Sequence, residues 1–169
     1  TASVKKQPDN MTVWISLANG LVRAGKFKEA RDAINQAIKN VGDKADLRLT
    51  LSKIASAQGD ETLARSALSD QIGKMPSGDQ ALVYKALGDL LIRQKDTAGA
   101  TQAYESWAKI QIKDPAPALA LLQVALSGTD EALIRRRVDA LKGLDAKDVN
   151  WRLARIQELL RMPLEDQQN

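Results

Sequence analysis

The chain has no cysteine and no histidine. Without cysteine it forms no disulfide and no thiolate zinc site, a composition that fits reducing and oxidising compartments alike. Without histidine it lacks the commonest metal ligand, the commonest general base and the usual nucleophile–base pairs. Aromatic residues are scarce, 4 % of 169, and strands favour aromatic and β-branched side chains. No apolar run approaches the ~20 residues that cross a bilayer, so no transmembrane segment is expected. The N-terminal Thr-Ala-Ser-Val-Lys-Lys has no apolar signal core, and the chain does not begin with Met. The sequence therefore reads as a piece of a longer protein, and no localisation is assigned from it.

Phosphate-binding glycine patterns are missing as well: there is neither Gly-x-x-x-x-Gly-Lys nor Gly-x-Gly-x-x-Gly. Asn40-Val41-Gly42-Asp43-Lys44 has turn composition without phosphate-loop spacing. The acidic pairs Asp60-Glu61 and Asp130-Glu131 stand at expected helix starts, where carboxylates cap the helix and favour its dipole. The expectation is a chain that is not an enzyme, with no catalytic residue, no cofactor and no metal site.

Alanine and leucine dominate the 44 % hydrophobic share, a bias toward helices packed through small side chains. The net charge of +4 comes from 25 Lys and Arg against 21 Asp and Glu. Residues 1–44 carry eight basic and four acidic side chains, so the excess lies at the N-terminal end. Nucleic-acid surfaces show a concentrated basic stripe with stacking aromatics, and this sequence has none. Arg135-Arg136-Arg137 is the densest charge run, but three successive helical residues spread over ~200°. Arg136 and Arg137 could join Arg152 and Arg155 in a basic strip, which is the basis for a weaker reading as an anionic-ligand or nucleic-acid surface. The plainer reading is solvated surface.

The informative feature is internal repetition. Ala-Gly-Lys-Phe-Lys-Glu-Ala ends at Ala30, Ala-Gln-Gly-Asp-Glu-Thr-Leu-Ala at Ala64, and Gln-Lys-Asp-Thr-Ala-Gly-Ala at Ala100. These alanines are 34 and 36 residues apart. Nine positions before them stand Leu21, Ala55 and Leu91, and four earlier again Leu17, Leu51 and Leu87, each followed by a small residue (Ala18, Ser52, Gly88). The pattern predicts αα-hairpins whose helices approach closely over the small residues, with leucines filling the groove between them. Gly25 and Gly59 are expected to end first helices in a left-handed conformation. Asp60 and Asp96 are expected to cap second helices, and Asp114-Pro115 reads as a cap with a first-turn proline. Such hairpins bury their apolar faces by stacking on one another.

These residues resemble the tetratricopeptide repeat, W-x2-L-G-x2-Y followed by Ala, an aromatic, Ala and Pro over 34 residues. The first copy has Trp14, Leu17, Ala18, Leu21, Ala30, Ile34 and Ala37; the second has Leu51, Ser52, Ala55, Ala64, Leu68 and Pro76, with Arg48 in place of Trp; the third has Tyr84, Leu87, Gly88, Leu91, Ala100 and Tyr104. Two departures stand out. The longer second spacing is expected to be taken up in the turn Met75-Pro76-Ser77-Gly78, and Trp107 stands where the family has alanine, which should space the next hairpin. Pro8 falls where the closing proline of a preceding repeat would lie.

The resemblance implies an all-α fold, a right-handed superhelical stack of αα-hairpins of the α-solenoid type with a C-terminal capping helix. Repeats are expected at 11–44, 45–80 and 81–115 within one domain, 1–169. Beyond them Leu119, Leu122 and Leu126, then Leu133, Ile134, Val138 and Leu141, make two apolar stripes of a degenerate fourth hairpin over 116–144. Trp151, Leu153, Ile156, Leu159 and Leu160 make the apolar stripe of the capping helix, 147–162, ended by Pro163, with Leu164–Asn169 expected to be frayed.

In that family the first helix of each pair lines the concave side, and a partner peptide or protein rests on its second, fifth, ninth, twelfth and thirteenth positions. Carried over by register these are Thr12, Ile15, Asn19, Val22 and Arg23 in the first repeat. The second offers Asp46, Leu49, Lys53, Ser56 and Ala57, and the third Leu82, Lys85, Asp89, Ile92 and Arg93. A groove of this mixed character suits an extended or helical peptide. Some members hold chaperone C-termini with a Lys, Asn and Arg clamp. Here Asn19 matches one clamp position, while Ile15, Thr50, Leu82 and Ala86 occupy the others, so that ligand is disfavoured. The functional expectation is a non-catalytic protein-binding scaffold. The alternative is a structural spacer or self-association module stacking through its repeat ends.

Overall fold

The computed structural model describes residues 4, 6–144 and 149–161. Among them the fold is all-α, with no strand. The helices are α1 Met11–Arg23, α2 Phe27–Val41, α3 Ala45–Gln58, α4 Glu61–Ser69, α5 Ser77–Arg93, α6 Thr97–Ile110, α7 Pro115–Leu126, α8 Glu131–Leu144 and α9 Val149–Leu159, with a 3₁₀ turn at Ile72–Lys74. No helix among the described residues is long and apolar enough to cross a membrane. The chain divides into two compact units, Thr1–Leu90 and Leu91–Asn169, with the boundary inside α5.

Three helix junctions are built alike. At each, the first helix closes on a residue with positive φ: Gly25 at 72°, Gly59 at 81° and Lys95 at 61°. The next amide then reaches back five residues: Lys26 to the Leu21 carbonyl, Asp60 to Ala55 and Asp96 to Leu91, each at 2.9 Å. This 6→1 bond satisfies a carbonyl that the helix end would otherwise orphan. Lys26, Asp60 and Asp96 share φ near −90° (−90°, −89°, −90°) and start the second helix. Asp60 Oδ1 accepts from the Leu63 amide at 2.9 Å, and Asp96 Oδ1 from the Gly99 amide at 2.8 Å. Both expected aspartate caps are present, as is Asp114, which accepts from the Ala116 amide at 2.9 Å ahead of Pro115.

The alanines of the repeat register are buried at these junctions. Ala30, Ala64 and Ala100 are 0 % exposed, and Ala18, Ser52 and Gly88 are buried too. Small side chains of this kind allow neighbouring helices to pack closely. In the first unit α2 packs on α1, α3 on α2 and α4 on α3, and α1 and α3 also touch. Trp14, Ala18, Ile34, Ala37, Leu47 and Ile54 form the core there, with Leu17, Leu21, Phe27 and Leu51 packed against it. Full burial of a side chain such as Ile34 or Leu47 contributes about 1.5–3 kcal/mol. In the second unit α6, α7, α8 and α9 pack in succession around Leu122, Ala125, Ile134, Val138, Leu141 and Ala154. Trp107 is core, with its Nε1 donating to Gln111 Oε1 at 2.5 Å.

One expectation is corrected. The extra length of the second repeat is not taken up in a turn at Met75–Gly78, because Ser77 and Gly78 already belong to α5. It lengthens the start of that helix, which begins ten residues before Leu87 where α1 and α3 begin six before Leu17 and Leu51. Helix α4 stops after 9 residues, Gln71 takes a left-handed φ of 54°, and the chain turns through the 3₁₀ segment, burying Ile72 and Met75. The apolar stripe of α9 is divided. Ala154 and Glu158 are buried, and Trp151 and Leu159 of the stripe are half-buried, whereas Leu153, Ile156 and Leu160 are exposed. The expected residues 147, 148 and 162, the Pro163 stop and the tail Leu164–Asn169 lie outside the described residues.

Candidate functional site

Helical spacing of i, i+3, i+7 and i+10 sets residues on one face of a helix, and the expected partner-binding positions follow it on α1, α3 and α5. All of them are reachable from solvent. Thr12, Asn19 and Arg23 on α1 are exposed, while Ile15 and Val22 between them are half-buried against the core. On α3, Asp46, Lys53 and Ala57 are exposed and Leu49 and Ser56 half-buried. On α5, Leu82, Lys85, Ile92 and Arg93 are exposed and Asp89 half-buried; Ile92 and Arg93 belong to the second unit. The α1 and α3 faces stand on helices in direct contact. Half-buried aliphatic residues between exposed polar ones make a floor and a rim.

Charge on these faces is partly committed. Lys85 Nζ donates to Asp89 Oδ2 at 2.7 Å across one turn of α5; exposed pairs of this spacing contribute about 0.3–0.5 kcal/mol. Thr50, one of the positions at odds with the chaperone clamp, donates its hydroxyl to the Asp46 carbonyl at 2.7 Å and is buried. It holds the helix backbone and offers nothing to a ligand.

Arg48, which stands where the repeat resemblance leads one to expect tryptophan, is 7 % exposed. Its Nε donates to Asp43 Oδ1 at 2.8 Å and its Nη2 to Asp43 Oδ2, while Nη1 donates to the Asp70 carbonyl. The hydrogen bond to Asp43 raises the guanidinium pKa above its ordinary value against the opposing desolvation, with further attraction from Asp43 and Asp70. One arginine thus fastens the loop before α3 to the end of α4. Sequence reasoning noted the missing tryptophan but not this anchor, for which Asp43 five residues upstream was the available signal.

In the second unit a cavity of about 450 Å³ opens among α6, α7 and α8, lined by Thr97, Thr101, Leu121, Val124, Asp130 and Arg137. Arg137 Nη2 donates to Glu105 Oε1 at 2.8 Å, so the cation lining the cavity is already neutralised. Asp130 is engaged as a cap, accepting from the Leu133 amide at 2.9 Å. Of the arginines considered for a basic strip, Arg136, Arg137, Arg152 and Arg155, two are paired with carboxylates. Arg137 pairs with α6, and Arg155 turns to Glu158 Oε2 at 2.6 Å. Arg136 Nε donates to the Ala132 carbonyl at 3.3 Å, and Arg152 lies 5.8 Å from the Trp151 ring centroid. Among the described residues no three acidic side chains gather as a metal site would require, and no buried side-chain polar atom lacks a partner.

No protein-family model matches the chain, and no curated protein matches it significantly.

Proposed function

We propose that this chain is a tetratricopeptide-type segment that holds a protein or peptide partner on the outward faces of its first helices, without catalysing a reaction. The observation that carries the reading is the junction built three times over: the same 6→1 bond, the same positive-φ residue and the same buried alanine at Leu21–Ala30, Ala55–Ala64 and Leu91–Ala100. A hairpin repeated in register presents equivalent positions at regular intervals, which is the geometry by which helical repeats read an extended partner. The faces of α1 and α3 support it with half-buried Ile15, Val22 and Leu49 beneath exposed Asn19, Arg23 and Lys53. Apolar contacts would supply affinity, and the Asn, Arg and Lys side chains would fix the partner's register.

The reading is tested by affinity capture from a lysate, followed by the same capture with Asn19→Ala combined with Arg23→Glu. Both residues are exposed, so the helical circular dichroism should be unchanged. Loss of a specifically captured protein is the expected result. Retention of every captured protein by the double variant would remove the α1 face from the reading.

A further inference from the structure

We infer that α9 is a releasable strap over α8: charge holds it in place more than apolar burial does, and it undocks and unwinds as ionic strength rises while α7 and α8 stay folded. The strap lies in the second unit and is independent of the first-helix faces.

The three helices commit very different side chains to their shared core. Helix α7 buries Pro117, Leu121, Leu122 and Ala125, and α8 buries Ile134, Val138 and Leu141. Among the described residues of α9 the buried ones are Ala154 and Glu158, a methyl group and a carboxylate. Trp151 and Leu159 sink halfway. The larger aliphatic side chains, Val149, Leu153, Ile156 and Leu160, stand 57, 53, 51 and 75 % exposed while the helix is docked. Hydrophobic stabilisation scales with the apolar area removed from water, so those four lose little when α9 departs.

Polar contacts supply the rest, and each of them uses a cation. Glu158, 5 % exposed, receives Arg135 Nε of α8 at 3.3 Å and Arg155 Nη1 of its own helix at 2.6 Å. Beyond the end of α9, Arg161 donates Nη1 to the Leu126 carbonyl and Nη2 to the Gly128 carbonyl, the latter at 2.6 Å. That fastens the strap to the close of α7. Lys142 Nζ of α8 lies 5.3 Å from the Trp151 ring centroid.

A buried carboxylate is tolerated only while its cations stand beside it. Those cations reach water: the Arg135 side chain is 55 % exposed and that of Arg155 40 %, so mobile ions screen the attraction. Apolar burial, which holds α7 and α8 together, is not screened in this way. Once undocked, an 11-residue helix is shorter than the ~12–15 residues at which isolated helices become even marginal in water. Release and unwinding are therefore one event. It withdraws Ala154 and Trp151 from the core that holds Ile134, Val138 and Leu141.

The test is amide hydrogen exchange on the whole chain, followed by NMR from ~0.01 M to ~1 M NaCl, across which the Debye length falls from ~30 Å to ~3 Å. At low salt the Ala154 and Glu158 amides should exchange at least ~tenfold faster than those of Ile134 and Val138, as a separately opening element does. At high salt that ratio should widen by at least ~threefold more. Glu158→Gln keeps the shape and removes the charge, so it should raise the ratio at low salt and flatten its salt response. Arg135→Gln changes a side chain largely in solvent, leaves the apolar core whole, and should act in the same direction. A ratio near one at every salt concentration overturns the inference, because α9 then opens only with the rest of the unit. So does a ratio that salt leaves unchanged, or a salt response that either variant leaves undiminished.

Discussion

Arg48 is buried at the start of α3 with its guanidinium on both carboxylate oxygens of Asp43 and on the Asp70 carbonyl. An ion inside a core is tolerated only when its donors are met, and here three of them are. Asp43→Ala should therefore lower stability by about 1–2 kcal/mol, the low end for a broken pair because Asp43 is 38 % exposed. Arg48→Leu combined with Asp43→Ala, which removes both ions together, should be tolerated better than Asp43→Ala alone. Urea unfolding measures both. Because the folded pKa of Arg48 is raised, its contribution is fully present below the ordinary arginine value and is lost only as pH rises through the folded one. Arg48 itself should thus give no pH dependence between pH 5 and 9 (roughly the range in which arginine stays charged throughout).

Lys95 occupies the place that Gly25 and Gly59 fill in the other junctions, at φ 61°. A left-handed conformation costs a non-glycine residue about 1–2 kcal/mol, partly offset by glycine's larger chain entropy when unfolded. Lys95→Gly should raise the melting temperature, by about 0.5–1 kcal/mol of stability, and Gly59→Ala should lower it by a similar amount. A fall for Lys95→Gly would show that its side chain contributes more than its backbone conformation costs.

Asp60 and Asp96 each cap a helix through one carboxylate oxygen. Replacing either by alanine should cost about 1 kcal/mol. Amide hydrogen exchange supplies a local reading: the Leu63 and Gly99 amides, which these caps accept from, should exchange faster in the respective variants.

Ala64 has no exposed surface, whereas Ala57 one helix earlier is exposed. Ala64→Leu must push α3 and α4 apart and should destabilise by about 1–3 kcal/mol. Ala57→Leu should stay within about 0.5 kcal/mol of the parent, as surface changes do. Equal effects would mean the small residues are not setting the helix approach.

Much of this architecture was legible because it rests on residues with one physical use. An alanine at 30, 64 and 100 marks a close helix approach, and an aspartate just ahead of a helix, as at 60, 96 and 114, marks a cap. The early end of α4 was not legible. The sequence breaks visibly at Pro76, but the helix stops at Ser69, where burying Ile72 and Met75 outweighed continuing the ladder. The α9 orientation was hidden for a different reason. Hydrophobic patterning puts leucine inside by default, and nothing near Glu158 in sequence reveals that Arg135, 23 residues away, comes to meet it. Of the partner-binding positions, the register could place them on one face of each first helix. Which of them sink halfway into the core, as Ile15 and Val22 do, depended on packing.

A joint repeated with the same bonds and dihedrals has an evolutionary reading. If a genetic event deletes or duplicates a block running from one such joint to the next, it rejoins like backbone to like backbone, and copy number can change without a new turn being invented. An insertion of any other length must be accommodated locally, as the early start of α5, ten residues ahead of Leu87 against six ahead of Leu51 in α3, does for the longer second spacing.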